Sequence, residues 1–146
     1  MALADCQKTV TDSQVKFEEK GKKVTFLNHA REKFVRTRVD GCLKDCSPAC
    51  DWVATQPEKG DVLIELKGCD VAHALDQLLS TAKFWTQNGY KSGKLSALVV
   101  SSQYPRFSTK MQRAGLRFKK EFNAPLHVVS RNLELKFETL FEFRRR

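Results

Sequence analysis

At 146 residues the chain has the length of one domain and can bury a genuine core. Its 41% hydrophobic and 29% charged residues exclude a disordered or low-complexity chain, and no apolar run approaches the roughly 20 residues that cross a bilayer. Lysine and arginine (26) outnumber aspartate and glutamate (17), giving a net charge of +9, which points to a polyanionic partner, nucleic acid ahead of an anionic membrane surface.

The opening MALADCQKTVTDSQ lacks the apolar centre of a signal peptide, so a cytoplasmic protein with no membrane partner is expected. Residues 1–23 are polar and lysine-rich and read as a flexible or short helical N-terminal arm of a single domain spanning 1–146. Strands follow at Val24–Leu27 and at Phe34–Val39, the second alternating apolar and basic residues, with a turn signal at Asp40-Gly41. Asp51–Thr55 and Asp61–Lys67 are two more strands, separated by the proline- and glycine-containing loop Gln56–Gly60.

Asp70 is placed to cap a helix whose inner positions are Val71, Ala74, Leu75, Leu78, Ala82 and Trp85, ended by Asn88-Gly89. Leu95–Ser101 is almost continuously apolar, as in a strand covered on both faces. A second helix is expected from Pro105 to about Phe122, with Phe107, Met111, Ala114, Phe118 and Phe122 inward. Short strands at Leu126–Ser130 and Leu133–Phe143 complete the chain before Arg144–Arg146. A three-stranded meander followed by a βαβ-like half predicts an α/β fold, a mixed central β-sheet flanked by helices.

The five cysteines are an odd number without a secretory context, which argues against a disulfide framework. Cys42, Cys46 and Cys50 are spaced C-x3-C-x3-C, and Cys69 could complete a four-ligand metal site. Structural zinc and iron–sulfur sites favour other spacings, so half-buried thiols are the plainer reading.

The residues that carry chemistry lie in DVLIELKGCD, Asp61–Asp70. Strand alternation puts Glu65 and Lys67 on one face, opposite to Val62, Ile64 and Leu66, the buried side of the strand. The same tripeptide recurs at Glu134-Leu135-Lys136. What distinguishes the first is Asp51, 14 residues before Glu65 at the start of the preceding strand. If Thr55 faces Asp61 across the loop, Asp51 stands opposite Glu65, and directly opposed residues have Cβ atoms about 5 Å apart on one face; a register shifted by one residue would bring Trp52 there instead. Two carboxylates that close repel unless neutralised. A hard divalent cation such as Mg²⁺, which takes a few carboxylates with waters and phosphate oxygens, does this, while a neighbouring lysine can act on a water or on developing phosphate charge.

Asp51, followed after a hairpin by Glu65-Leu66-Lys67, resembles the D…(D/E)-x-K signature of the PD-(D/E)xK nuclease superfamily, and GCDVAHALDQL after it resembles members in which the motif leads into a helix carrying a glutamine. The resemblance covers about Phe34 to Ser130 and implies a restriction endonuclease-like fold with an αβββαβ core. It implies a nuclease, an endonuclease or related phosphodiester hydrolase acting on nucleic acid, DNA ahead of RNA, with Mg²⁺ or Mn²⁺. It further implies metal binding by Asp51, Glu65 and the Leu66 backbone carbonyl, action of Lys67 on the water, and orientation of that water or of a phosphate by Gln77. Ala49-Cys50 stand where the signature's proline would be, with Pro48 three positions before Asp51.

His73 precedes Gln77 by one helical turn and reads as an ordinary surface histidine at the edge of the core. The second tripeptide has no aspartate across a comparable hairpin, and Glu134, Lys136 and Glu138 read as a solvated charge row. Arg106, Lys110, Arg113, Arg117 and Lys120 recur at spacings of 4, 3, 4 and 3, a basic stripe suited to tracking nucleic-acid phosphates beside Arg31, Arg36, Arg38 and the Arg144–Arg146 tail. One site in so small a chain would nick one strand, and double-strand cutting would require a homodimer. A nucleic-acid- or protein-binding module that keeps the nuclease-like fold without catalysis is the alternative.

Overall fold

The computed structural model describes residues 2–44, 48–66, 70–102 and 109–143. In chain order its elements are β1 (Gln7–Val10), β2 (Gln14–Glu19), β3 (Lys22–Leu27), β4 (Phe34–Arg38), β5 (Trp52–Gln56), β6 (Gly60–Leu66), α1 (Val71–Gln87), β7 (Lys94–Val100), α2 (Thr109–Phe122), β8 (Leu126–Val129) and β9 (Leu133–Leu135). Short 3-10 helices occupy Leu3–Cys6 and Phe137–Phe141.

A six-stranded sheet runs in the order β1-β4-β5-β6-β7-β8 and a three-stranded one in the order β2-β3-β9. In the larger sheet β4, β5 and β6 form an antiparallel meander, with β1 added antiparallel to β4. Beyond β6 the sheet turns parallel: α1 carries the chain to β7 and α2 to β8, each laid beside the strand before it. This is a mixed α/β fold in three layers. The helices α1 and α2 cover one face of the central sheet through Leu75, Leu78, Trp85 and Phe118 against Val53, Leu63, Ala97 and Val99. On the other face, Val15, Phe17, Val24 and Phe26 of the small sheet bury Ala54, Val62, Ile64, Leu98 and Val100.

The sequence leads one to expect residues 1–23 as a flexible or helical arm; they form the first 3-10 helix, β1 and β2 instead. The hairpin explains why. Lys20 (φ 48°) and Gly21 (φ 81°) form a two-residue loop between Glu19 and Lys22, and positive φ at both positions matches the right-handed twist of the flanking strands. Val15 and Phe17 then alternate with exposed Gln14, Lys16 and Glu18. Val24–Leu27 belongs to this small sheet, not to the meander. The expected strand Leu133–Phe143 also ends early. Only Leu133–Leu135 pairs, parallel to β3, because the chain then winds so that Phe137 can enter the cluster of Phe26 (5.3 Å between ring centroids) and Phe34 (5.2 Å). The expected start of α2 at Pro105, with Arg106 and Phe107, lies outside the described residues.

A third difference concerns β6, expected to bury one face. All seven of its residues are buried: Leu63 packs under the helices, while Val62, Ile64 and Leu66 pack under the small sheet. Gly60, at its start, has no room for a side chain, since a Cβ there would meet the Lys94 carbonyl oxygen at 2.7 Å and the Phe141 ring at 2.8 Å.

Candidate active site

Asp51 and Glu65 come together through the β5–β6 hairpin. Lys59 N–H donates to the Gln56 carbonyl at 3.0 Å, with Pro57 fixing one turn position and Glu58 taking a positive φ of 69°. Gln56 then faces Gly60 and Thr55 faces Asp61. Continuing the same register past Trp52↔Ile64 brings Asp51 opposite Glu65. Each side chain reaches the backbone of the other strand: Asp51 N–H donates to Glu65 Oε1 at 3.1 Å, and Leu66 N–H donates to Asp51 Oδ2 at 2.9 Å. Glu65 is fully buried and Asp51 half-buried. By strand alternation both lie on the α1 side, the face that Leu63 shares.

Cys50 is buried beside these two acids. Burial first, then the Glu65 carboxylate, with a smaller contribution from Asp51, pushes its thiol far above the ordinary cysteine value. A neutral buried thiol therefore sits beside the two acids.

Helix α1 fixes the segment that delivers Asp51. Its N-terminus is capped by the Asp70 carboxylate, which accepts from His73 N–H at 2.9 Å. Gln77 Nε2 donates to the Ala49 carbonyl at 3.1 Å, and Thr81 Oγ1 accepts from Cys50 N–H at 2.9 Å. One turn apart on the inner face, Gln77 and Thr81 thus clamp the two residues before Asp51. The resemblance gives Gln77 to a water or a phosphate; in the structure its Nε2 is engaged by the Ala49 backbone. Thr81 was not singled out from the sequence, although its i+4 spacing from Gln77 was a usable signal. His73 is exposed.

Lys67, which completes the signature, lies outside the described residues, as do Cys46, Cys69, Arg106 and Arg144–Arg146. In the second tripeptide, Glu134 and Lys136 are exposed, as is Glu138, matching the solvated charge row.

The basic stripe is partly neutralised. Lys110 pairs with Asp76 at 2.9 Å and Arg117 with Glu121 at 3.1 Å. Lys110, Arg113 and Arg117 border a groove between α2 and α1 whose apolar wall includes Leu75 and Leu79. Lys120 is exposed.

Two of the cysteines depart from the expected thiols, while Cys50 is a free, buried thiol. Cys6 and Cys42 form a disulfide, tying the segment before β1 to the β4–β5 connection, so Cys42 is not a metal ligand alongside Cys50. Disulfides are rare in a reducing cytosol, and this bond weighs against the cytoplasmic compartment expected from the sequence. No described helix is long and apolar enough to cross a membrane.

Among the described residues no three His, Cys, Asp or Glu side chains gather as a metal site. Asp51 and Glu65 offer two carboxylates, with the Leu66 carbonyl at the same strand end. That is a small set of hard oxygen donors, of the kind Mg²⁺ takes when waters and phosphate oxygens fill its other positions. No protein-family model, no curated protein and no solved structure matches the chain.

Proposed function

We propose that this protein is a divalent-metal-dependent nuclease of the PD-(D/E)xK kind, hydrolysing DNA phosphodiester bonds, with a restriction endonuclease-like core formed by β4-β5-β6-α1-β7. The observation that carries the reading is the pairing of Asp51 with Glu65, directly opposed on the α1 face and each bonded to the backbone of the other strand. The order meander, helix, parallel strand supports it. The helix that opens the family core has no counterpart among the described residues, where β1, β2 and β3 precede the meander.

In this reading Asp51, Glu65 and the Leu66 carbonyl hold Mg²⁺ or Mn²⁺. The ion would supply Lewis-acid stabilisation of phosphate charge and a more acidic water. The chain's own part begins with the hairpin, which holds both carboxylates in place before substrate arrives. Gln77 and Thr81 keep Asp51 in register by fixing Ala49 and Cys50. Lys67 holds or deprotonates the attacking water, or stabilises charge on the phosphate. The net charge of +9 draws the polyanion in, with Arg113 and Lys120 as cations of the stripe. A second reading, a nucleic-acid- or protein-binding module without catalysis, draws on the complete burial of Glu65 and its bond to Asp51 N–H, which also serve as fold-stabilising features.

Incubation of the purified protein with plasmid, single-stranded and branched DNA in Mg²⁺ or Mn²⁺ tests the proposal. Cleavage abolished by chelator and by Lys67→Ala is expected. Equal cutting by wild type, Glu65→Ala and Lys67→Ala would remove this site from the reaction, and binding with no turnover would favour the second reading.

A further inference from the structure

At the far end of the central sheet from Asp51 and Glu65 lies a cavity of about 480 Å³, lined among others by Lys91, Lys94, Phe122, Phe141 and Phe143. Glu65 is five residues along β6 from Gly60, which pairs with Lys94, so the cavity is roughly 17 Å away along the strands. Its aromatic wall is held from behind. The Phe141 ring packs on Phe137 at 5.1 Å between centroids and closely against Gly60. Phe143 is the outermost ring, 43% exposed, with Lys119 Nζ 5.5 Å from its centroid.

Among the described residues, Lys91 and Lys94 line the cavity and no acidic side chain does; Glu142, between the two phenylalanines in the chain, is not part of the wall. In sequence Phe143 leads directly into Arg144-Arg145-Arg146. The α1–α2 groove differs in kind, since its cations Lys110 and Arg117 are already paired with Asp76 and Glu121. Lysine ammonium groups next to an exposed aromatic face are the elements that bind a nucleotide: the ring stacks on the base and the cations meet the phosphate.

We propose that this pocket is a nucleotide-binding exosite, in which the base stacks on Phe143 and the phosphate lies between Lys91 and Lys94. The same chemistry is offered by a free nucleotide and by one unit of a single strand. The inference does not depend on the nuclease reading, because binding here involves neither Asp51 nor Glu65.

Binding measured in chelator, where metal-dependent hydrolysis is silent, tests it. The probes are inorganic phosphate, thymidine monophosphate and a short fluorescent oligothymidylate; circular dichroism verifies that each variant is folded. Phe143→Ala is expected to weaken monophosphate and oligonucleotide binding by about tenfold and to leave phosphate binding unchanged. Lys91→Ala with Lys94→Ala is expected to weaken all three and to lower the salt slope of oligonucleotide binding by about one. Tight monophosphate binding assigns the site to free nucleotides; oligonucleotide binding alone assigns it to a strand. The proposal is overturned if neither nucleotide probe binds wild type, or if both bind the Phe143 and lysine variants as tightly as wild type. Loss of cleavage with intact binding here would count against the nuclease reading alone, and the reverse against the exosite alone.

Discussion

Glu65-Leu66 and Glu134-Leu135 open the same tripeptide, yet their surroundings differ in every physical respect. β6 is an inner strand, bonded to β5 and β7 and covered by helices on one face and the small sheet on the other. β9 is a three-residue strand that pairs, among the described residues, with β3 only, its Glu134 exposed and opposite Thr25. A carboxylate in water incurs no desolvation cost, so Glu134 requires nothing from its neighbours. A buried carboxylate loses several kcal/mol of hydration and persists only where fixed donors replace the water. At Glu65 the Asp51 N–H does so for Oε1. A short motif therefore carries chemistry only where the fold surrounds it with partners.

The sharpest way to break that comparison is to neutralise each glutamate in turn. Glu65→Gln and Asp51→Asn are expected to lower DNA cleavage by about 10²–10³-fold, and Glu134→Gln to leave it within about twofold, read from initial rates of plasmid nicking. Equal effects at 65 and 134 would abolish the distinction.

Next in size is the disulfide, which tethers the connection leading to Asp51 and has no counterpart at β9. Cys6→Ser should lower unfolding free energy by about 2–4 kcal/mol for a bridge that closes a loop of 36 residues, measured by urea denaturation. A variant as stable as wild type would show that the 3-10 helix and loop hold without it.

The clamp on Asp51 is the third point of difference. Gln77→Ala removes the partner of the buried Ala49 carbonyl and should cost about 1–3 kcal/mol, with activity falling together with stability. A large loss of activity at unchanged melting temperature would instead give Gln77 the direct role at water or phosphate that the family resemblance implies.

The smallest expected effect is at Asp61, on the same face of β6 as Glu65. Burial holds its carboxyl above the ordinary carboxylate range, against the opposing pull of Thr55, the Ser92 N–H and Lys91. The folded protein thus keeps this proton at a pH where the unfolded chain has lost it. Its stabilising contribution is full below about pH 4 and is lost as pH rises through the raised value. The stability of wild type relative to Asp61→Asn should shrink from about pH 4 toward neutrality; a constant difference would contradict the raised value.

Much of this was legible in the sequence, and for identifiable reasons. The loop composition at Gln56–Gly60 sets the hairpin register, and that register alone brings Asp51 opposite Glu65. The Asp70 cap, the inner face of α1 and its Asn88-Gly89 end follow from local chemistry, and α1 runs Val71–Gln87 as expected. The N-terminal strands are masked in the sequence because lysines and glutamates dominate its composition, while the strand signal is only two alternating residues, Val15 and Phe17, before a Lys-Gly turn. Leu133–Phe143 alternates like a strand throughout, but the packing of Phe137 against Phe26 and Phe34 is a tertiary demand that alternation does not encode. The pairing of Cys6 with Cys42 is likewise invisible in spacing, since it depends on β1 being laid beside β4.

The most direct test is the metal itself. Crystals soaked in Mn²⁺ should show an anomalous density peak between the Asp51 and Glu65 carboxylates, and none at Glu134. A fully occupied manganese site elsewhere, with those two carboxylates bonded only to backbone, would contradict a hydrolytic centre at the first Glu-Leu-Lys.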